Sequence, residues 1–425
     1  MEFKSYWHAT APAFGRARTG PVEGHFDVVV IGGGFTGLSA ALTLAKAGVK
    51  VAVLEANVVG FGASGRNGGH VNNGLAHGYG EAKEHLGAER AKRLYQMFDD
   101  SVDLIESLVA EEGIECNFRR GGKLKLASKP SHVAGLRANF ELVHREVDPD
   151  TDFLEEADLE GEVGSQSFHG AMRMRKSAMM HMGRYVTGLA QAAERRGATI
   201  WENAPMTAKQ RTATGWELIT PKGKLRASQL IVATNSYSGK SLAWFRRRIL
   251  SIGAFIIATR PLTDAEVAAT MPGNRTCVTT MNVGNFFRLS PDNRLIFGGR
   301  AKFSTVSDQA TDARSGEILR ASLAKIFPQL SSIEIDYCWG GLVGMTKDRF
   351  PRAGVHEGMI YGMGYSGHGA QLSTHLGQIL ARMAMGERDA NPLEGLPWPA
   401  IPFYNGKPWF LPLVGAYYQL KDRIS

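Results

Sequence analysis

Cysteine is scarce in this chain: Cys116, Cys277 and Cys338 are the only three among 425 residues, and they are far apart. An odd number of widely spaced cysteines argues against a disulfide framework and favours a reducing compartment, so we expect a cytoplasmic protein. None of the three has the spacing of metal ligands, and no metal site is expected.

Long apolar runs are also missing. No window approaches about 18 uninterrupted apolar residues, and residues 1–24 contain no apolar segment typical of a signal peptide. The sequence therefore predicts neither a transmembrane segment nor secretion. The net charge is +8, but its basic residues are dispersed apart from Arg246, Arg247 and Arg248. This charge favours the steering of a small anion over binding to nucleic acid.

Glycine is plentiful, at 50 residues, and the most informative glycines follow a short apolar run, residues 28–31. Gly32, Gly34 and Gly37 have the G-x-G-x-x-G spacing, and a second apolar run further on ends at Glu55. Such glycines allow a tight turn, close approach of the backbone to a pyrophosphate and close packing of the following helix, and the acid binds a ribose. The pattern predicts a dinucleotide site at a helix N-terminus, for either FAD or NAD.

Two further glycine loops, residues 60–69 and 364–369, favour FAD. The isoalloxazine ring needs close backbone approaches beyond the pyrophosphate, and both loops lie beside predicted strand ends, where open α/β sheets bind ligands. The loop at 364–369 precedes a helix whose N-terminus would stabilise negative charge on a reduced ring. A simple NAD-binding module stays an alternative, which the colour of the purified protein would test.

The rest of the chain predicts a mixed α/β protein, and its length predicts two domains. We expect helices over 81–112, 185–197, 312–326 and 370–385, strands at 123–126, 167–174, 198–201, 229–234, 333–339 and 359–363, and a hairpin joining 286–289 to 295–299. The aromatic tail, residues 392–425, is expected to pack on its own domain, with contact to a partner or a membrane surface as the alternative.

The three glycine loops together resemble the D-amino-acid-oxidase-type family of FAD-dependent oxidoreductases, in particular its bacterial γ-glutamylputrescine oxidases. The resemblance implies a doubly wound, Rossmann-like FAD-binding domain and a second domain with a mixed, mostly antiparallel sheet on the substrate side. We expect the first domain to comprise residues 1–80, 151–237 and 335–425, and the second to comprise 81–150 and 238–334.

The same resemblance implies which residues bind FAD. They are Gly32, Gly34, Phe35, Thr36, Gly37, Glu55 and Ala56 at the pyrophosphate and ribose; Ser64, Gly65, Arg66, Asn67, Gly68 and Gly69 along the flavin; Met206 at the adenine; Ala233 and Thr234 at a strand end; and Gly364, Tyr365, Gly367, His368, Gly369 and Gln371 at the pyrimidine edge.

Two positions depart from the family pattern. Sarcosine-oxidase relatives carry a lysine where this chain has Gln371, and that lysine pairs with the carboxylate of the substrate. We therefore expect an amine whose carboxylate is distant or absent. Those relatives also attach the flavin to a cysteine in a segment that here, at residues 340–348, contains none, so FAD is expected to be noncovalent.

The implied reaction is oxidation of a C–N bond in a small-molecule amine, such as γ-glutamylputrescine or a similar ω-amine. Hydride passes from the amine carbon to flavin N5, the imine hydrolyses to an aldehyde, and O2 accepts the electrons to give H2O2. A dry pocket keeps the amine neutral, so no strong base is required. An amine dehydrogenase that uses a quinone or a carrier protein, and a flavin-binding protein without turnover, stay open as alternatives.

Three side chains are the catalytic candidates: His368 for proton handling, Arg66 for stabilising the reduced flavin and Tyr365 as a wall of the substrate pocket. Each has a purely structural alternative, namely hydrogen bonding to backbone, holding a loop and packing. Weaker candidates are Trp339 as a second wall, with a place in the core as its alternative, and Arg288 and Arg349 as partners of a distant carboxylate, with a place on the surface as theirs. His70, His77 and Tyr79 follow the first flavin loop and are weaker still.

Overall fold

The computed structural model describes residues 1–299, 309–387 and 391–424. The helices in these ranges are α1 Tyr6–Thr10, α2 Phe35–Lys46, α3 Tyr79–Leu86, α4 Ala88–Glu112, α5 Pro130–Glu146, α6 Met182–Arg195, α7 Ala243–Arg246, α8 Asp264–Thr270, α9 Gln309–Ile326, α10 Gly369–Ala384 and α11 Leu411–Ile424.

The strands in the same ranges are β1 His25–Ile31, β2 Val51–Leu54, β3 His70–Val71, β4 Arg119–Arg120, β5 Lys123–Leu126, β6 Asp152–Glu155, β7 Gly170–Met174, β8 Ala178–Met179, β9 Thr199–Trp201, β10 Ala208–Thr212, β11 Gly215–Thr220, β12 Gly223–Val232, β13 Leu250–Pro261, β14 Thr276–Thr279, β15 Asn285–Leu289, β16 Arg294–Gly299, β17 Ile335–Met345, β18 Arg352–His356 and β19 Met359–Met363.

The first sheet has a parallel centre, as the alternation of strands and helices predicts. Strands β9, β2, β1, β12 and β19 pair in parallel, while β10 and β11 extend the sheet beside one end of β12 and β18 pairs with β19. β12 is central because both of its edges are paired. Helices α2 and α10 pack on this sheet and on each other, and Ser39 Oγ of α2 donates to the carbonyl of Thr374 in α10 at 2.6 Å.

The second sheet has the strand order β17-β13-β16-β15-β14-β5-β7-β6, and all of its pairings are antiparallel except β14 with β5. Its outer face packs in a core with helix α9, and Leu124 and Leu126 of β5 point into that core. Its inner face carries Ile256 and Trp339 and joins the core of the first sheet. The expected doubly wound domain with a mixed antiparallel sheet beside it is confirmed.

Several element boundaries differ from the sequence prediction. The predicted helix over 81–112 is divided into α3 and α4, because Gly87 has φ +77° and ψ 158°, which no helix accommodates. Helix α6 begins before the predicted residue 185, because the ring Nδ1 of His181 accepts the backbone N–H of Arg184 and caps the first turn. The predicted strand 333–339 extends to Met345 in β17.

The predicted domain boundaries place three strands of the second sheet in the FAD-binding domain. These are β6 and β7, from residues 151–174, and β17, from residues 335–345. In addition, α4, assigned to the substrate domain, packs against α10 beside the first sheet. We propose that the boundaries be moved accordingly. Part of the predicted substrate domain, residues 300–308, lies outside the described residues.

The aromatic tail packs on its own chain through a few contacts, and its helix α11 was not predicted. The hydroxyl of Tyr404 donates to the carbonyl of Ile249 at 2.8 Å, and Leu411 is buried. The opposite side of α11 is exposed and apolar, with Leu413, Tyr417, Leu420 and Ile424 on it. No helix in the described part of the chain is long and apolar enough to cross a membrane.

Candidate active site

A cavity of about 560 Å³ lies at the carboxyl ends of β1, β2 and β12, where open α/β sheets bind their ligands. Its opposite wall is the inner face of the second sheet, including Ile256, Val278 and Phe286. The three predicted glycine loops all contribute to this cavity, although some 300 residues separate the first loop from the third. The structure thus brings together segments that the sequence pattern could only propose to be neighbours.

The first loop is built by glycines with distinct roles. Gly32 has φ +111°, in the region that favours glycine, and turns the chain from β1 towards α2. A Cβ on Gly37 would overlap the backbone carbonyl of Gly32, so this glycine lets the helix approach the strand. A Cβ on Gly34 would lie 2.8 Å from Ser64 Oγ and enter the cavity. The loop therefore leaves space beside the N-terminus of α2 for a phosphate.

Glu55 follows β2 and turns its carboxylate back to this loop. Oε2 accepts the backbone N–H of Gly33 at 2.7 Å, and Oε1 accepts that of Asn57 at 2.8 Å. Burial raises the pKa of the Glu55 carboxyl, and the two N–H groups oppose that effect. The carboxylate is thus fixed on the cavity wall, where it can accept hydrogen bonds from ribose hydroxyls.

The second loop is tied at many points. Asn67 Oδ1 accepts the backbone N–H of Gly69 at 2.8 Å, and Asn67 Nδ2 donates to the carbonyl of Ser64 at 2.9 Å. The N-terminal arm binds the loop from behind: Ser5 Oγ donates to the carbonyl of Gly65, and Trp7 Nε1 to that of Asn67, both at 2.6 Å. These bonds fix the loop geometry independently of any ligand.

Arg66 joins the second loop to the second sheet. Its Nε donates to the carbonyl of Phe61 at 2.9 Å, and its Nη1 donates to that of Gly340 in β17 at 3.0 Å. The backbone carbonyl of Arg66 accepts the indole N–H of Trp339 at 3.0 Å. Arg66 also lines the cavity. The geometry supports the loop-holding alternative for Arg66 and places its cationic group at the cavity wall.

The third loop is fixed by residues that the sequence pattern did not single out. Asn235, directly after β12, accepts the backbone N–H of Gly364 through Oδ1 at 3.1 Å. The backbone N–H of Ser366 donates to the carbonyl of Gly344 in β17 at 2.9 Å. The phenol of Tyr365 bonds Thr36 Oγ1 at 2.6 Å and so connects the third loop to the first turn of α2. Burial raises the pKa of Tyr365, which stays protonated.

His368 and Gln371 each present a polar nitrogen without a partner in the described residues. The atoms are His368 Nδ1 and Gln371 Nε2, both of them buried, and both residues line the cavity. Burial, aided by the positive charges of Lys123 and Lys125, lowers the pKa of His368 to about 3, so the ring is neutral at neutral pH. Buried polar atoms are normally satisfied, which indicates that a ligand completes this end of the cavity.

Two helix N-termini face the cavity. Phe35 and Thr36 of α2 line it, as do Gly369, Ala370 and Gln371 of α10. Within the described chain neither helix has a side-chain cap from its N-cap residue or an acidic residue in its first turn. Free N–H groups and positive dipole ends are therefore available for a phosphate at α2 and for an electron-rich ring edge at α10.

Most of the predicted cofactor-binding residues line this one cavity. They are Gly32, Gly34, Phe35, Thr36, Glu55, Ala56, Ser64, Arg66, Asn67, Gly68, Met206, Ala233, Thr234, Tyr365, Gly367, His368, Gly369 and Gln371. Four predicted glycines stand behind the wall: Gly37 packs on Gly32, Gly65 on His8, Gly69 on Arg288 and Gly364 on Thr346. These four shape the loops rather than the cavity surface.

The weaker candidates separate into two groups. His70 lines the cavity, and its buried Nε2 has no partner among the described residues. Trp339 is fully buried in the core of the inner face. Arg288, expected on the surface or at a carboxylate, is instead fully buried and donates to the backbone carbonyls of Gly68 and Met180. Burial lowers the pKa of Arg288 to about 9.

His77, Tyr79 and Arg349 do not line the cavity. His77 Nδ1 lies 3.0 Å from a carboxylate oxygen of Glu81, and Arg349 Nη2 lies 3.1 Å from the same ring nitrogen. Tyr79 is buried and meets the ring of Tyr95 edge to face. His77, Glu81 and Arg349 thus form a polar cluster outside the cavity, and His77 is among the influences that lower the pKa of His368.

Sequence reasoning missed two parts of the wall. Residues 281–285 contribute Met281, Asn282, Gly284 and Asn285, and β17 contributes residues 341–344. The repeated glycines at 340, 341 and 344 were a usable signal, because glycines within a strand mark close approaches of another backbone. No comparable signal marks 281–285. That segment is fixed by Asp422, whose carboxylate accepts the backbone N–H groups of Asn282 and Val283 at 2.9 and 2.8 Å.

The three cysteines are buried and form no disulfide, and none belongs to the cavity lining. Cys277 and Cys338 lie in the outer core of the second sheet, on the face opposite to Trp339. The shape of the cavity, its two helix N-termini and its unpartnered nitrogens fit FAD, with the phosphates at α2 and the ring at the third loop.

Comparisons with known proteins agree with this geometry. A family model described as FAD dependent oxidoreductase (DAO) matches residues 27–383. γ-Glutamylputrescine oxidoreductase of Escherichia coli K12 is 32% identical over 99% of this chain and 98% of its own length. The probable oxidoreductase OrdL of Haemophilus influenzae is 34% identical over 90% of this chain and 88% of its own.

Solved structures share the fold at lower identity. Glycine oxidase from Geobacillus kaustophilus superposes with a TM-score of 0.73 at 21% identity, covering 90% of this chain and 98% of that one. L-proline dehydrogenase from P. horikoshii gives a TM-score of 0.72 at 19% identity, covering 87% and 96%.

Proposed function

Because the chain belongs to the DAO family of FAD-dependent oxidoreductases, which act on C–N donors, we propose that it is an amine oxidase. Its substrate is γ-glutamylputrescine or a similar γ-glutamyl or ω-amine, O2 accepts the electrons, and H2O2 and an aldehyde are the products. FAD is held noncovalently and the enzyme works in the cytoplasm. The relative from Escherichia coli, which matches nearly end to end, carries γ-glutamylputrescine in its name.

The choice of substrate rests on one observation, the neutral side chain of Gln371 in the cavity lining. This residue is 1% exposed, lies in the first turn of α10 and lines the cavity with a neutral amide. The resemblance to sarcosine oxidases implies that a lysine there would pair with a carboxylate next to the reacting nitrogen. A neutral side chain leaves such a carboxylate without a cation, and burying it unpaired is unfavourable. Amines with a remote carboxylate, or with none, are therefore favoured.

Bound FAD supplies the acceptor for the two electrons of the C–N bond. The N-terminus of α2 would bind the phosphates, Glu55 would accept hydrogen bonds from the ribose hydroxyls, and the N-terminus of α10 would stabilise negative charge at the ring edge. Ile256, Val278 and Phe286 exclude water from the substrate side. In such surroundings the ammonium form is disfavoured, so the amine is bound neutral. His368 is itself neutral and offers a hydrogen bond there without adding a charge.

The absence of a thiol from the cavity lining supports noncovalent FAD, because Cys338 belongs to the opposite face of β17 from Trp339. Acid precipitation tests this: we expect the yellow colour to remain in the supernatant. Colour that stays with the precipitated chain would contradict it.

An anaerobic panel of amines tests the substrate. The purified yellow protein is mixed with γ-glutamylputrescine, putrescine, sarcosine and D-alanine, and loss of flavin absorbance is followed. We expect γ-glutamylputrescine to reduce the flavin fastest. Fast reduction by sarcosine or D-alanine alone would contradict the inference from Gln371, and reduction by none of the amines would favour a flavin-binding protein without turnover.

Aerobic turnover of the same substrate separates an oxidase from a dehydrogenase. We expect stoichiometric H2O2 with O2 as the acceptor. Slow reoxidation by O2, together with fast reoxidation by a quinone, would instead favour the dehydrogenase.

A further inference from the structure

Strand β5 places two lysines on the inner face of the second sheet. Leu124 and Leu126 point into the outer core, so Lys123 and Lys125, which alternate with them, point towards the first sheet. Lys123 is buried and Lys125 is partly buried, and lysines seldom lie in such positions without a charged partner. Each of the two therefore needs an explanation.

Lys123 is accounted for by its own chain. Its Nζ donates to the backbone carbonyl of Asn73 at 2.7 Å, and the side chain of Asn73 in turn bonds the buried carboxylates of Asp99 and Asp148. These carboxylates favour the charged form of Lys123, although burial still lowers its pKa to about 7. Lys123 is thus part of a buried structural network.

Lys125 has no such partner. Its side chain makes no hydrogen bond and no ion pair with any residue in the ranges that the structure describes. Burial lowers the pKa of its ammonium, and the nearby guanidinium of Arg349 lowers it further. Glu81 opposes this effect only partly, since its carboxylate is shared with His77 and Arg349.

The sheet register places Lys125 beside the cavity. Lys125 is directly opposite Val278 of β14, and Val278 is opposite Phe286 of β15. Residues paired in this way project from the same face of a sheet. Val278 and Phe286 both line the cavity, and so does His368, whose pKa is lowered in part by the positive charge of Lys125. A cation without a side-chain partner therefore lies next to the part of the cavity wall that Val278 and Phe286 form, away from the phosphate end at α2.

We propose that Lys125 is the cation of a carboxylate-binding subsite, which binds the carboxylate of an amino-acid group remote from the reacting amine. This inference rests on the proposed function and specifies how its substrate is selected. A carboxylate there supplies the charge partner that Lys125 lacks, while Gln371 leaves the reacting end of the substrate without a cation. Arg349, with 43% of its side chain exposed, adds positive charge near the same place.

Replacement of Lys125 by methionine tests the subsite, because methionine keeps the length and removes the charge. For γ-glutamylputrescine we expect KM to rise about 10- to 100-fold with kcat little changed, since a charged hydrogen bond of about 1.5–3 kcal/mol is lost. For putrescine, which has no carboxylate, KM should not rise. K125R should restore most of the affinity for γ-glutamylputrescine.

Lys224→Met is the matched control, because it removes a lysine charge from an exposed side chain near the start of β12. It should behave as the unmodified enzyme with both amines. FAD content and Tm verify that each variant is folded; if K125M does not fold, K125Q and K125R make the same comparison. Equal changes of KM for both amines, or no change for γ-glutamylputrescine, would overturn the subsite.

A binding experiment separates this proposal from the proposed reaction. Glutarate carries carboxylates but no amine, so it is titrated into the holoenzyme and the perturbation of the flavin spectrum is recorded. We expect saturable binding that is about 10-fold or more weaker in K125M. If neither amine reduces the flavin but glutarate binding depends on Lys125, the reaction fails and the subsite stands. Glutarate affinity that is unchanged in K125M overturns the subsite, whatever the reaction.

Discussion

The side-chain hydroxyl of Ser64 accepts the backbone N–H of Phe35 at 3.0 Å and so joins two glycine loops. Phe35 is the first residue of α2, and its N–H is one of the donors that have no partner within the helix. The two loops are therefore held against each other at the point where the phosphates of FAD are expected. Loop geometry and the anion site depend on the same bond.

Replacing Ser64 with alanine should weaken FAD binding. The variant loses one hydrogen bond of about 1 kcal/mol, so the Kd for FAD is expected to rise about 5- to 10-fold. The Kd is measured by titrating the apoprotein with FAD while flavin fluorescence is recorded. Ser107→Ala is the control, because Ser107 Oγ donates only to the carbonyl of Asp103 on the exposed side of α4. An unchanged Kd in S64A would show that the bond does not order the loops.

Alanine at Gly37 should prevent formation of the FAD site. The added Cβ would overlap the carbonyl of Gly32, which is backbone and has no room to move. Gly135→Ala is the matched control: it also lies within a helix, but its Cβ would meet no atom within 4 Å. We expect G135A to gain about 0.5–1 kcal/mol of stability and G37A to purify without FAD or not to fold. Normal FAD content in G37A would contradict the packing argument.

Stability should fall in mild acid, partly because of His181. Its Nδ1 accepts the N–H of Arg184, its Nε2 bonds Thr10 Oγ1 at 2.9 Å, and burial lowers its pKa to about 4. The folded pKa lies below the unfolded value of about 6.5, so the stabilisation is complete above pH 6.5 and is lost as the pH falls towards 4. The expected slope from this residue is about 1.4 kcal/mol per pH unit.

Urea unfolding at pH 7 and pH 5 measures this slope. His181→Asn keeps a side chain that can cap α6 but does not titrate, so its free energy of unfolding should change less between the two pH values. His25→Asn serves as the control, since His25 is an exposed residue at the start of β1. Identical slopes in the unmodified protein and H181N would contradict the assignment.

Removing the carboxylate of Asp422 should loosen one wall of the cavity. Asp422 Oδ1 accepts both the backbone N–H and the side-chain Nδ2 of Asn282, and Oδ2 accepts the N–H of Val283. In Asp422→Ala these donors lose their partner, and we expect faster proteolysis at 281–284 together with a KM that is about 5- to 20-fold higher. Leu420→Ala, on the exposed side of α11, should match the unmodified enzyme in both assays. Unchanged proteolysis and KM in D422A would show that the wall holds without α11.

The parts of the fold that the sequence predicted are those with local patterns. The strand before Gly32, the glycine spacing and Glu55 lie within about 30 residues, and each has a requirement that few residue types satisfy. The glycine at 364 likewise has φ +81°, in the region that favours glycine. Local residue patterns of this kind predict structure from the sequence alone.

The residues whose positions were not predicted are those whose roles come only from tertiary contacts. Asn235 and Asp422 are ordinary polar residues in the sequence, and only the folded chain brings them to the third loop and to residues 281–284. Arg288 reads as a surface cation because arginine is seldom buried, yet the carbonyl of Met180 and the ring of Trp7 enclose it. The division between α3 and α4 was missed because the apolar positions that predict a helix, from Leu94 to Leu108, all lie in α4 and carry no information on Gly87.

The cavity is completed from opposite directions along the chain. Ser5 and Trp7 bind the second loop, and Asp422 binds the segment at 281–284. During synthesis the ribosome releases the glycine loops and the whole second sheet before α11 exists. Until α11 has formed, residues 281–284 lack the carboxylate of Asp422 that binds them, so this wall of the cavity is not yet fixed. A firmly held wall, and with it tight binding of the cofactor, consequently requires that α11 has been synthesised and packed.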